Sequence, residues 1–170
     1  DKLIVAKILL GISYRQMGEY DEAMEILTAT LQQSQELGDK AGMAKTLNNI
    51  GLVHSSKSDY DKAFDCLERS LAIKDEIGNK VGIGLSLHNI GQVHSSKGDH
   101  DKAFDCLERS FTIFEELGDK HLLGKSLNSI GIVHNNIGDY DKALDCYGRS
   151  LAIKEGLGNK PGIGGSIHSI

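Results

Sequence analysis

The sequence lacks the features that mark several protein classes. No apolar run approaches the ~20 residues that a membrane-spanning helix requires, and no secretory signal is visible. Basic residues do not outnumber acidic ones. The chain has 19 Lys and Arg against 24 Asp and Glu, and its net charge of -5 argues against nucleic acid or an anionic membrane surface as a partner. With 39% hydrophobic residues among 170, the chain is still too apolar for a disordered segment and can bury a core.

A repeat with a period of about 40 residues is the strongest feature of the sequence. The recurring small residues are Gly11, Gly51, Gly91 and Gly131, then Ala23, Ala63, Ala103 and Ala143, and then Gly38, Gly78, Gly118 and Gly158. The segments 51–90 and 91–130 agree at about 25 positions, more than chance allows. The period predicts one array, made of the units 1–40, 41–80, 81–120 and 121–160 and a half unit at 161–170.

Each unit is predicted to form two amphipathic helices. Leu47, Ile50 and His54 recur at the spacing of one helical face, and Ala63 and Leu67 belong to a second such stripe. Alternation typical of strands is absent. The sequence therefore predicts an all-α fold.

Residues that favour helix ends separate the two stripes. Asp59 stands where the second helix needs an N-cap acceptor, and Asn79 is placed to cap the helix that follows. Gly78 can adopt the left-handed conformation that ends a helix. Pro161, the single proline, falls in a first turn, where its missing N–H is harmless.

These repeated residues resemble the tetratricopeptide repeat, whose signature is W-x2-L-G-x2-Y…A-x3-F…P. The matching positions are Leu47, Ile50, Gly51, His54, Ala63 and Leu67, and the signature tyrosine is kept as Tyr14. The proline is missing, and the unit exceeds the usual length of about 34 residues. This long unit is similar to the repeats of kinesin light chains, Pins/LGN-type polarity adaptors and many bacterial signalling proteins. The resemblance implies a right-handed α-solenoid of stacked antiparallel helix pairs with a concave groove.

The first helix of each unit has a second face, and the resemblance implies that this face lines the groove. The predicted groove residues are Lys45, Asn48, Asn49, Leu52, Ser56, His88, Asn89, Gln92, Ser96, Lys125, Asn128, Ser129, Ile132 and Asn136. His168 and Ser169 would begin a further row. Asn49 and Asn89 match asparagines that hold peptide backbone in related adaptors, whereas Ser129 and Ser169 depart from that pattern.

The chemistry of this face suits an extended peptide. Amides and hydroxyls can donate to and accept from the one N–H and one C=O that each peptide residue offers. Lys45 and Lys125 favour an acidic segment. The alternative is that these residues form an ordinary solvated face, which any helical array exposes.

Two other patterns suggest chemistry but are explained by the repeat. Residues 118–126 resemble a phosphate-binding loop, but five residues instead of four separate the glycines, and the segment joins helix to helix. His54, Cys66 and their equivalents recur in successive units. Stacked helices lie about 8–10 Å apart, too far for such equivalents to share a zinc ion or form a disulfide. We therefore expect no metal, no cofactor and no enzyme active site, and the unpaired cysteines indicate a reducing, cytoplasmic compartment.

Two functions are compatible with the sequence. The first is a non-enzymatic scaffold that binds a peptide or a partner protein in the concave groove. The second is a sensory or regulatory segment of a larger signalling protein, such as a cyclase, a kinase or a transcription regulator. The 170 residues contain nothing that separates the two.

The two ends of the chain are unusually apolar for terminal units. Ile4, Val5 and Ile8 belong to a first helix that is apolar around most of its circumference, and the chain stops at Ile170, halfway through a predicted helix. We expect the chain to self-associate end to end. Light scattering at high protein concentration would detect this association, and a strict monomer would contradict the expectation.

Overall fold

The computed structural model describes residues 2–158, with side chains through residue 156. The described range contains eight helices and no strand, which confirms the all-α prediction. The helices are α1 (Lys2–Met17), α2 (Tyr20–Glu36), α3 (Lys40–Ser56), α4 (Tyr60–Glu76), α5 (Lys80–Lys97), α6 (His100–Glu116), α7 (Lys120–Asn136) and α8 (Tyr140–Gly158). None of these helices combines the length and the apolar character that crossing a bilayer requires. The predicted half unit at 161–170, with Pro161, His168 and Ser169, lies outside the described residues.

Consecutive helices pack as pairs, α1 with α2, α3 with α4, α5 with α6 and α7 with α8. A glycine at the same place in each odd-numbered helix permits their close approach. A Cβ atom at Gly51 would lie 2.8 Å from Leu67 Cγ and 3.0 Å from the backbone oxygen of Ala63. A larger residue would therefore push α3 away from α4 by overpacking.

The hydrophobic core lies between the pairs. At the first junction, Ala23 and Leu27 of α2 pack with Ile50 and Val53 of α3, and Cys66 of α4 completes the cluster. Equivalent residues one and two units later form the second and third clusters. Because each pair needs its neighbour to cover its apolar face, stacking supplies most of the burial.

The odd-numbered helices form the inner layer of a curved stack. α1 contacts α3, α3 contacts α5, and α5 contacts α7, whereas no even-numbered helix within residues 2–158 contacts the next even-numbered one. The odd-numbered layer is therefore the more closely spaced, and the stack curves toward it. The concave face is built from α1, α3, α5 and α7.

The helix starts use two kinds of contact. Asn79 caps α5 as predicted, since its side-chain oxygen accepts from the Gly82 N–H at 2.9 Å. Asp59 precedes α4 as predicted, but its carboxylate forms no capping hydrogen bond and instead accepts from Lys62 Nζ at 2.8 Å. This hydrogen bond lowers the pKa of Asp59. The charged ammonium is a stronger partner than a backbone N–H, so the prediction of an Asp59 cap is wrong.

The apolar first helix is partly covered within the chain itself. Ile4 and Ile8 are buried, so neither is available to the external partner that the sequence suggested. Leu3, Val5 and Leu9 are exposed. Self-association through these exposed residues stays a prediction.

Every connection between the described helices turns on a residue with positive φ. Gly78 has φ +65°, as predicted, and the equivalent positions elsewhere are Gly18, Gly38, Gly98, Gly118 and Gly138. Between α3 and α4 the residue is Ser58, with φ 59°. A left-handed conformation costs a residue with a Cβ atom roughly 1 kcal/mol, so Ser58 is a strained position.

Replacing Ser58 with glycine should stabilise the fold. The Ser58→Gly variant removes the Cβ penalty, and the free energy of unfolding should rise by about 0.5–1 kcal/mol in a urea titration. The reciprocal control is Gly98→Ser, at the same position of the next unit, which should lower it by a similar amount. A Ser58→Gly variant that unfolds at lower urea than the original chain would show that Ser58 is unstrained.

Candidate functional site

The concave layer carries no acidic residue. The chain contains 24 Asp and Glu, but none of them occurs in α1, α3, α5 or α7. Basic residues number three in α1 and two in each of the other three odd-numbered helices. They are Lys2, Lys7, Arg15, Lys40, Lys45, Lys80, Lys97, Lys120 and Lys125. The inner layer is therefore basic in a chain that is acidic as a whole.

The predicted groove residues differ widely in exposure. The exposed ones are Lys45, Ser56, Gln92, Ser96, Lys125, Ile132 and Asn136, and the partly exposed ones are Asn48, Leu52, Asn89 and Asn128. The three buried ones are Asn49 at 9% exposure, His88 at 1% and Ser129 at 4%. These three side chains have too little free surface for extensive contact with a peptide.

Hydrogen bonds join the polar residues of neighbouring odd-numbered helices. Asn89 Nδ2 of α5 donates to Asn48 Oδ1 of α3 at 2.9 Å. Ser129 Oγ of α7 lies 3.4 Å from His88 Nε2 of α5. These contacts fix the spacing of the inner helices, so part of the polar row serves the scaffold rather than a ligand.

Asn49 and Asn89, which share one position of the repeat, have different surroundings. Asn49 Nδ2 donates to the backbone oxygen of Lys45 in its own helix, at 2.8 Å. Asn89 reaches across to the neighbouring helix and stays partly exposed. Two residues that look equivalent in the sequence are therefore not equivalent at the surface.

A cavity of about 290 Å³ opens on the concave side, near the C-terminal ends of the odd-numbered helices. The predicted residues that line it are Leu52, Ser56, Gln92, Ser96, Ser129 and Ile132. Lys45, Asn48 and Lys125 do not line it and lie nearer the N-terminal ends of their helices. The predicted groove thus has two parts, one with lysines and amides and one with hydroxyls and apolar side chains.

Three residues of this cavity were not predicted. Arg15 of α1, Ser55 of α3 and Ser95 of α5 all line it. They occupy one repeat position, spaced by the period of the array, so the sequence contained the signal. It was missed because that position lies at the edge of the face that helical geometry assigns to the groove.

The repeated histidines and cysteines are packing residues. His94 stacks against Phe64 with ring centroids 4.3 Å apart. Cys66 and Cys106 are buried free thiols, and burial raises the pKa of both. Within the part of the chain that the structure describes, no three His, Cys, Asp or Glu residues are grouped so as to hold a metal ion.

Comparison with known proteins gives one family and several structures of similar fold. A family model described as Tetratricopeptide repeat matches residues 3–76 and 82–156. No curated protein matches the chain closely enough to serve as a relative. BtubC (BKLC) from P. vanneervenii has a TM-score of 0.78 at 22% identity, over 99% of this chain and 69% of that one.

Two further solved structures are longer than this chain. A Rap protein complexed with Competence and Sporulation Factor has a TM-score of 0.83 at 18% identity, over 94% of this chain and 45% of that one. Aspartyl phosphate phosphatase F from Bacillus subtilis has a TM-score of 0.67 at 16% identity, over 99% and 52%. At these identities the likeness shows the fold alone, and this chain spans about half the length of each.

Replacing His88 with asparagine, the residue at positions 48 and 128, should reduce the acid sensitivity of the fold. Burial, with a smaller effect of Lys125, lowers the pKa of His88 to about 4. As the pH falls from about 6.5 to about 4, the unfolded chain binds a proton that the folded chain does not, so stability falls by up to about 3 kcal/mol. Urea titrations across this range should show a flatter pH profile for His88→Asn.

The matched control for this prediction is His121→Asn, since His121 is exposed near the start of α7. That variant should keep the pH profile of the original chain. Identical profiles for the two variants would contradict the role assigned to His88.

Proposed function

Because the chain belongs to the tetratricopeptide repeat family, whose arrays are generally interaction scaffolds, we propose that it binds an extended acidic peptide segment of a partner protein. The binding surface is the concave face of α1, α3, α5 and α7. The observation that carries the proposal is the absence of Asp and Glu from these four helices. An acidic segment is attracted to this face and repelled by the rest of the surface.

Two lysines on this face are free to attract such a segment. Lys45 and Lys125 are exposed and form no ion pair with any described residue. Lys62 and Lys142, on the outer helices, already hold Asp59 and Asp139, at 2.8 Å in each case. The unpaired lysines therefore give the concave face a positive potential that the outer lysines do not add to.

Open amide groups on the same face suit a peptide backbone. The bond between Asn89 and Asn48 uses one donor and one acceptor. The remaining Nδ2 of Asn48 and Oδ1 of Asn89 have no partner among the described residues, and neither has the amide of Asn128. Donors and acceptors are therefore open on three successive inner helices, an arrangement that an extended chain can follow.

Apolar side chains in the cavity supply a place for a side chain of the ligand. Ile132 of α7 is 41% exposed, and Leu52 of α3 is partly exposed. Both line the cavity. A few apolar contacts beside oriented polar groups are typical of binding sites.

The solved relatives in fold support this proposal without deciding it. One of them, the Rap protein, is complexed with Competence and Sporulation Factor. An array of this fold can thus form a complex with a second molecule. The identity of the segment bound by the present chain is left to the peptide selection described below.

A regulatory segment of a larger signalling protein is the second candidate function. The observation that favours it is length, since the chain covers only 45% of the Rap protein and 52% of aspartyl phosphate phosphatase F. In that case the concave face would still bind a segment, and binding would act on an attached effector. An effector domain in the adjoining gene sequence would select this candidate.

Removing the inner lysines should weaken peptide binding. Octapeptides selected from a random display library on the full chain serve as probes, and fluorescence anisotropy gives the Kd. In the variant Lys45→Gln/Lys125→Gln, the Kd should rise about 5- to 30-fold at low salt, because each exposed charge contributes about 0.5–1 kcal/mol. The salt dependence of binding should become weaker as well.

The control is Lys62→Gln/Lys142→Gln, which makes the same charge change in the same units on the outer helices. Its Kd should stay within about twofold of the original chain, since the removed charges are distant and already paired. Equal weakening in both variants would move the site off the concave face. Failure to select any peptide would contradict the proposed function.

A further inference from the structure

Arg15 is the one arginine in the described residues without an acidic partner. Each of the others pairs with an aspartate four residues earlier in its helix. The pairs are Arg69 with Asp65 at 3.2 Å, Arg109 with Asp105 at 3.3 Å and Arg149 with Asp145 at 3.5 Å. Arg15 forms no ion pair with any described residue, and its Nε atom is buried without a hydrogen-bond partner. A buried donor of this kind is costly for a fold to leave unsatisfied.

The Arg15 side chain lines the concave cavity. The same cavity is lined by Ser55 of α3 and Ser95 of α5, at the equivalent positions of the next two units. The guanidinium and the two hydroxyls therefore border one space of about 290 Å³, which is large enough for a small planar group.

The hydroxyls of Ser55 and Ser95 can donate into this space. Ser55 Oγ has no partner among the described residues, and Ser95 Oγ only accepts, from Asn136 Nδ2 at 3.4 Å. The adjacent Ser56 and Ser96 differ, since each donates to the backbone oxygen four residues earlier, at 3.0 Å. The cavity thus contains one fixed positive charge and two hydroxyl donors, and no acidic residue lines it.

This donor set matches a carboxylate better than a more highly charged anion. The planar guanidinium presents two parallel N–H groups, which fit the two oxygens of a carboxylate. The C-terminal ends of α1, α3 and α5 lie near the cavity and carry partial negative charge, which opposes anions. A single arginine can offset this for one negative charge, whereas a phosphate dianion would need further cations.

We infer that Arg15, Ser55 and Ser95 form a carboxylate-binding site that receives one carboxylate of the bound segment. The inference rests on the proposed function and adds a defined contact to it. The carboxylate comes either from the C-terminus of the segment or from an Asp or Glu side chain within it. In both cases the contact satisfies the buried Nε and sets the register of the segment along the groove.

The first test reads Arg15 directly. In an NMR titration of the ¹⁵N-labelled chain, the Nε–Hε resonance of Arg15 should shift saturably with sodium acetate and not with sodium chloride at equal ionic strength. The resonance is assigned by its loss in Arg15→Lys. Arg149, which is exposed and paired, should respond equally little to both salts. Equal responses of the two arginines to acetate would overturn the inference.

The second test uses peptides selected on the full chain, made with a free or an amidated C-terminus and with Glu→Gln or Asp→Asn changes. One of these replacements should raise the Kd at least about tenfold, which corresponds to about 1.4 kcal/mol. In Arg15→Gln the Kd of the unmodified peptide should rise to that same level, and the replacement should have no further effect. The variant Arg149→Gln should bind like the original chain. Which replacement acts identifies the source of the carboxylate.

The outcomes separate this inference from the proposed function. If peptides bind but no carboxylate replacement matters, or if Arg15→Gln binds like Arg149→Gln, the segment binds without this site and the inference fails alone. If no peptide is selected, both proposals fail. Thermal melting of Arg15→Gln controls for folding, and if that variant is unstable, the acetate titration of the original chain decides the question.

Discussion

The structure depends on a close contact inside each helix pair. Gly51 lets α3 approach so near to α4 that a Cβ atom would lie 2.8 Å from Leu67, and Gly91 and Leu107 repeat the contact in the next pair at 2.7 Å. This tight pairing leaves the apolar faces of each pair to be covered by the next pair. It also sorts the chain into two layers, with the odd-numbered helices on the inside of the curve.

The sorting into layers gives the chain its functional surface. The inner helices contain no acidic residue, so a chain with net charge -5 presents a concave face of the opposite sign. Part of the polar row on this face ties the inner helices together, as the hydrogen bond between Asn89 and Asn48 shows. The groups left open, with Lys45 and Lys125 nearby, support the proposed binding of an acidic segment. The unsatisfied Nε of Arg15 supports a carboxylate at a defined place within it.

The helix pairs were predictable because their residues recur in every unit, and the glycine and alanine contacts appear where the period places them. The site was only partly predictable, since burial at its positions depends on neighbours that differ between units. His88 replaces the asparagine of other units and is buried at 1% exposure. Lys74 is buried where the next unit has Phe114, and its Nζ donates to Ser86 Oγ at 2.7 Å. A period describes what units share, so residues unique to one unit, such as Arg15, were missed.

The central claim is that the acid-free inner layer is the binding surface. The most direct measurement is paramagnetic broadening of backbone amide signals by a nitroxide attached to a selected acidic peptide. The account predicts broadening in α1, α3, α5 and α7, strongest around the cavity that Ser55 and Ser95 line, with the outer faces of α2, α4, α6 and α8 unaffected. Broadening centred on those even-numbered helices would contradict it.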